Sequence, residues 1–167
     1  MQLSVWSPHA KLVAIVAATV FGVDQLTKLW ILFGLGLLEV GQIPLLPFFD
    51  LTMVWNYGIS YGLFQQDGNL GRYVLVAIKI IAALALWFWA GQTPSKLMRV
   101  AMACIIGGAL GNAVDRVAYG AVADFAHLHW GEFSWYVFNV ADAAIVVGVL
   151  LMLYDAFVRG EQKPADA

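Results

Sequence analysis

Charge is scarce in this chain. Only 12% of its 167 residues are charged, against about a quarter in a soluble domain. The 9 lysines and arginines are outnumbered by 11 acidic residues, for a net charge of -2. With no basic surplus, nucleic acid is excluded as an expected partner. Cysteine is nearly absent too. Cys104 stands alone, so no intrachain disulfide can form, and within its apolar run it reads as a small buried hydrophobe. Internal repeats and low-complexity stretches are missing. What is plentiful is apolar: 62% hydrophobic residues and a mean hydropathy of +0.78. The chain is therefore read as one integral membrane domain, mainly α-helical.

Four apolar segments approach the roughly 20 residues that cross a bilayer: about 12–33, 73–90, 97–114 and 135–154. The first is long for a cleaved signal sequence and runs into Asp24 and Lys28 with no small-residue cleavage site, so it is expected to be retained. Residues 1–160 form one four-span domain in this reading, and 161–167 a disordered cytoplasmic tail. Lys11, Lys96, Arg99, Arg159 and Lys163 fall on one side of the spans, which places both termini in the cytoplasm.

The outward connections, about 37–68 and 116–137, carry prolines and β-branched or aromatic runs. Leu51 to Tyr61 reads as one or two short strands and Ser134 to Phe138 as strand-like. A small β platform with a short amphipathic segment is expected above the helices, where irregular backbone can be covered by protein or line a wet cavity. Residues 33–72 are the candidate for a lid over a site.

Polar residues share one depth. Asp24 lies 13 residues after Lys11, Asn112 lies 13 after Arg99, and Asp142 lies 13 before Asp155. At about 1.5 Å per residue, each is about 20 Å from its inner flank. This defines a polar layer in the outer part of the bilayer. Lys79 reaches a similar depth; facing the cavity is one reading, and the preferred one is that its stem snorkels outward. Gly107, Gly108 and Gly111 allow another helix to approach the third span closely.

Charge partners sort the carboxylates. Asp24 has Lys28 one turn on and Asp115 has Arg116 beside it, so both read as ionised anchors. Asp124 and Asp142 have no cation within four residues. They suit a pair in which one carboxyl is protonated and the other activates water. His127 and His129 are expected to point apart and to serve as interfacial residues beside Trp130, and no metal or other cofactor is expected. Ser60 and Ser134 show no order of His and Asp that would make a serine triad.

At these residues the chain resembles the lipoprotein signal peptidases, the signal peptidase II family of bacterial membrane aspartic proteases. The similarity runs in order through Asp24-Gln25-Leu26-Thr27-Lys28, Asn56 to Tyr61, Gly107 to Arg116, Val122 to Phe125, and Phe138 to Asp142. Ile59 and Tyr61 depart from the usual second box, and Lys79 is outside the family pattern. The resemblance implies four helices with a small outer sheet, in the bacterial cytoplasmic (inner) membrane with the site near its outer face. It implies cleavage of diacylglyceryl-modified prolipoprotein signal peptides before the lipidated cysteine, with membrane lipid as the surroundings. Asp124 and Asp142 would be catalytic, and Asn56, Asn112, Arg116 and Asn139 would line the site. Asp24, Lys28, Gly108 and Asp115 would support it. The sequence is compatible with a monomer. A small proton-coupled transporter and a non-enzymatic assembly protein are the rival classes, since intramembrane carboxylates also serve proton relays.

Overall fold

A computed structural model describes residues 10–58 and 69–160. The elements in order are α1 (Ala10–Leu29), a π-helical stretch (Trp30–Gly34), α2 (Leu37–Val40), β1 (Gln42–Leu46) and β2 (Phe49–Asn56). They are followed by α3 (Asn69–Gln92), α4 (Lys96–Tyr119), β3 (Val122–Trp130), β4 (Phe133–Ser134) and α5 (Val140–Gly160). Four helices are long and apolar enough to cross a membrane: Ala10–Gly34, Leu70–Gln92, Lys96–Tyr119 and Val140–Val158. The protein is thus a mainly α, multi-pass membrane protein. The expected tail, 161–167, and Ile59, Ser60 and Tyr61 of the second box lie outside the described residues, as does part of the candidate lid.

α4 is the central helix. In its most apolar window 61% of residues are buried within the protein, against 17–22% in the other three. Its glycines explain why. A Cβ at Gly107 would stand 2.6 Å from the Ala17 carbonyl oxygen of α1. One at Gly108 would stand 2.5 Å from the Ala141 carbonyl oxygen of α5, and one at Gly111 the same distance from Asp24 Oδ2. Without those Cβ atoms both neighbours approach to backbone distance, the packing that membranes favour where lipid supplies no hydrophobic drive.

The ends of α4 are fixed by a capping serine and a glycine. Ser95 Oγ accepts from Met98 N at 3.1 Å as an N-cap and donates to Asp155 Oδ1 at 2.6 Å, tying α4 to the far end of α5. Gly120, at φ +84°, stops the helix in the left-handed region that glycine tolerates. α4 therefore runs past the expected Val114 to Tyr119 and keeps Asp115 and Arg116 helical. The fourth span starts later than expected, at Val140 and not Trp135. Asn139 Oδ1 accepts from Asp142 N at 2.9 Å while Asp142 Oδ2 accepts from Asn139 N at 3.4 Å. This reciprocal pair is a capping box.

The platform is an antiparallel sheet in the order β1-β2-β3-β4. The expected strand from Leu51 proves to be the second arm of a hairpin turning at Pro47, and its pairing partner is β3. That nine-residue strand was not anticipated. The strand-like reading of Ser134 to Phe138 shrinks to Phe133–Ser134 and an isolated bridge from Phe138 to Ala126. Ile31, Leu37, Leu51, Phe125 and Ala126 form a buried cluster that seats the sheet on the bundle. β2 and β3 pair as Asn56 with Val122 and Val54 with Asp124, which brings the second and fourth sequence boxes together.

Replacing Gly108 by Leu forces side-chain atoms against the Ala141 carbonyl and Ile145. Overpacking of this kind costs about 1–3 kcal/mol, so the variant is expected to melt at lower temperature in detergent, as followed by circular dichroism.

Candidate active site

Three buried charges lie where α1, α4 and α5 meet. Lys28 Nζ is 2.8 Å from Asp24 Oδ2 and 2.7 Å from Asp115 Oδ2, with side chains no more than 2% exposed. Asp115 therefore takes its cation from α1. The expectation that Arg116 would serve it fails because adjacent helical residues point in different directions. Gln25 Nε2 reinforces the pair, donating to Asp24 Oδ2 at 3.1 Å and to Asp115 Oδ1 at 3.0 Å. The remaining acceptors fix backbone: Asp24 Oδ1 takes Ala141 N at 2.8 Å, and Asp115 Oδ2 takes Ala123 N at 3.1 Å. Ala141 precedes Asp142 and Ala123 precedes Asp124. The anchors thus hold the backbone beside each of the other two aspartates.

Amides connect these aspartates. Asn139 Nδ2 donates to Asp124 Oδ1 at 2.6 Å and to Asn112 Oδ1 at 3.1 Å, and the Asn139 backbone reaches Asp142 Oδ2. Asn112 Nδ2 donates to Asp142 Oδ1 at 2.8 Å, and its Oδ1 accepts from Lys28 Nζ at 3.1 Å. Asn56 Nδ2 reaches the other oxygen of Asp124 at 3.0 Å. It does so as a diagonal neighbour across the β2–β3 ladder. Asp124 is thus on a strand within the outward connection 116–137. Among the described residues neither Asp124 nor Asp142 forms a salt bridge. Burial, and next the charge of Asp142, push the Asp124 carboxyl up to about 7 against the opposing pull of the Asn56 and Asn139 hydrogen bonds.

A cavity of about 170 Å³ is lined by Asn56, Leu75, Ile78, Lys79, Asn112, Arg116, Val122 and Asp142, with Asp124 held behind it by Asn56 and Asn139. Val122 lies two residues before Asp124 and shares its face of β3. Arg116 is committed to backbone, with Nη1 on the Asn112 carbonyl at 3.4 Å and Nη2 on the Gly58 carbonyl. Lys79 does not snorkel away; it lines the same cavity as Asp142. Gln25 and Lys79 were both left out of the expected site. Gln25 lies one residue after Asp24 in a quoted box, so its place could have been found. Lys79 follows no motif; its depth left a cavity-facing reading open, and packing of α3 on α4 decides for it.

The two histidines correct another expectation. Residues i and i+2 on a strand share a face, so His127 and His129 stand together with ring centroids 5.3 Å apart. His129 Nε2 is 3.0 Å and His127 Nδ1 3.9 Å from Asp50 Oδ2, which also accepts from Gln42 Nε2 at 2.7 Å. His127 Nε2 lies 2.7 Å from Ser134 Oγ. The 3.9 Å gap to Asp50 leaves His127 without the hydrogen bond that orients a triad base.

Fold and site together define a multi-pass membrane protein with an amide-bridged carboxylate pair at the sheet end of its bundle. Comparison with known proteins agrees. The profile of signal peptidase (SPase) II matches residues 16–158. A lipoprotein signal peptidase of Methylorubrum extorquens is 51% identical over 92% of this chain and 89% of its own length. One of Methylobacterium radiotolerans is 52% identical over 89% and 85%. A bacterial membrane enzyme solved by the in meso method at 2.3 Å resolution superposes with a TM-score of 0.81 at 26% identity, covering 94% of both chains. The chain belongs to the signal peptidase II family, and with it to the membrane peptidases.

Replacing Lys28 by Met leaves two buried carboxylates without their cation. Removing one partner of a buried ion pair costs about 3–5 kcal/mol, so the variant is expected to lose most of its thermal stability in detergent. Adding Asp115→Asn, which removes one stranded charge, should recover part of it.

Proposed function

We propose that this protein is an aspartic endopeptidase that removes the signal peptide from diacylglyceryl-modified prolipoproteins, cutting before the lipidated cysteine. One observation carries the reading: Asp124 and Asp142 meet through Asn139 beside a cavity, while Lys28 is spent on Asp24 and Asp115. The substrate is that of the lipoprotein signal peptidases this chain is similar to.

The environments of the two carboxyls divide their roles. Asp124 is 2% exposed and raised to about 7, so it is the one that holds a proton. Asp142, more open and lining the cavity, is the base. Asp142 takes a proton from water as the water oxygen attacks the scissile carbonyl carbon, and Asp124 gives its proton to the carbonyl oxygen. Collapse of the resulting diol breaks the C–N bond. The proton held by Asp142 passes to the leaving amine, and a diol hydroxyl returns one to Asp124. Asn112 orients Asp142, while Asn56 and Asn139 orient Asp124. Arg116 lines the cavity and holds the Gly58 carbonyl just after β2. Asp24, Lys28, Asp115 and Gly108 supply the frame.

The active site faces the outer side of the bacterial cytoplasmic membrane in this reading, with both termini cytoplasmic. The end of the bundle away from the sheet bears Lys11, Lys96 and Arg99, the positive charge that marks the cytoplasmic face. A lipid-modified signal peptide then reaches the dyad sideways, with its acyl chains still in hydrocarbon.

Purified protein incubated in detergent with a diacylglyceryl-modified prolipoprotein should yield the shortened product. Asp124→Asn and Asp142→Asn should each lower the rate by about 10²- to 10⁴-fold while the protein still inserts; an active Asp142→Asn variant would refute the assignment. A proton-coupled transporter would show flux in liposomes and no cleavage.

The pH profile supplies a second check. Because Asp124 must be protonated, kcat/KM should fall as pH rises through about 7. The Asn56 hydrogen bond lowers that value, so Asn56→Ala should move the alkaline limb to higher pH. A limb that stays put would mean that another group controls it.

A further inference from the structure

Lys79 is one of two charged residues between Leu70 and Gln92 on α3, the other being Arg72 near the start. A cation within a span is costly unless it meets a partner or a wet cavity. Lys79 meets the cavity that Asp142 lines, and among the described residues its ammonium forms no hydrogen bond or ion pair. Of the other donors there, the amide nitrogens and the terminal guanidinium nitrogens are engaged, and only Arg116 Nε is left without a hydrogen-bond partner among the described residues. Asn56 Nδ2 serves Asp124, Asn112 Nδ2 serves Asp142, and both Arg116 Nη atoms hold backbone carbonyls. Among the described residues Lys79 is therefore the lining cation whose charged head is wholly unengaged and open to something bound.

Charge narrows what that is. With Asp124 protonated, the anions Asp24, Asp115 and Asp142 are balanced by the cations Lys28, Arg116 and Lys79. Without Lys79 the site would carry net negative charge. Peptide hydrolysis at this dyad, the reaction proposed above and the premise of this step, creates one new anion in place: the carboxylate at the cut end of the signal peptide. Beside Asp142 it would be repelled.

We propose that Lys79 is a product-binding residue that receives the carboxylate formed at the C-terminus of the cleaved signal peptide. A charge-assisted hydrogen bond of this kind is about twice as strong as a neutral one. It would offset the repulsion by Asp142 and make the acid end of the peptide a recognised group.

The test compares two synthetic signal peptides that end at the cut, one with a free carboxylate and one with a carboxamide, in wild type, Lys79→Met and Lys79→Arg. Each peptide competes with a labelled carboxamide peptide at pH 7, where a terminal carboxyl is ionised. Cleavage of a diacylglyceryl-modified prolipoprotein by the wild type is measured in parallel. Wild type should bind the acid on the order of tenfold tighter than the amide. Lys79→Met should bring the ratio near one, and Lys79→Arg should restore most of it; binding of the labelled amide reports a folded site. A wild type with no preference, or a preference that survives in Lys79→Met, overturns the proposal and leaves the peptidase reading intact if cleavage occurs. A wild type that cleaves no prolipoprotein overturns that reading and this one with it.

Discussion

The fold depends on one buried cation. Lys28 neutralises Asp24 and Asp115 where the three side chains are almost wholly withdrawn from solvent. Unpaired charges at such depth would oppose insertion and packing. Paired, they become rigid acceptors whose spare lone pairs capture Ala141 N and Ala123 N. One contact fixes the start of α5 and the other the start of β3. The neutralised trio thus places, through the backbone, the two carboxylates that have no salt bridge among the described residues.

Amides suit the next layer for an electrostatic reason. A cation in contact with Asp124 would favour its ionised form, whereas Asn56 and Asn139 donate hydrogen bonds without a formal charge. The carboxyl consequently stays up at about 7 despite two donors. Asn112 has a different task. Its amide nitrogen faces Asp142 and its oxygen faces Lys28, so one side chain joins the ionised frame to the open carboxylate without conducting a full charge between them.

Close packing makes these short links possible. Gly111 lies against Asp24, and Gly108 against the turn that ends in Asp142, at distances where any side chain would clash. The capping box at Asn139 and Asp142 then starts α5 at the depth of Asn112. Asp142 is both a helix-capping group and a cavity-facing carboxylate. Its negative charge is also favoured at that helix N-terminus.

Much of this was legible in the chain. Hydrophobic length determined four spans, because crossing a bilayer needs about 20 apolar residues whatever their neighbours. Spacing placed Asp24, Asn112 and Asp142 at one level, and the scarcity of local cations separated Asp124 and Asp142 from Asp24 and Asp115. Helix geometry is local, so i,i+4 pairs such as Asp24 and Lys28 could be read directly. What only the tertiary structure decided is non-local. Pairing of β2 with β3 placed Asn56 beside Asp124 from 68 residues away. Packing of α1 on α4 gave Asp115 a cation from a different helix. Docking of α3 turned Lys79 toward the cavity, and the strand register set both histidines over Asp50. Sequence fixes which groups exist and how deep they lie, because burial and helical rise are properties of the single chain segment. Which groups meet depends on how separate segments pack, and no local spacing encodes that.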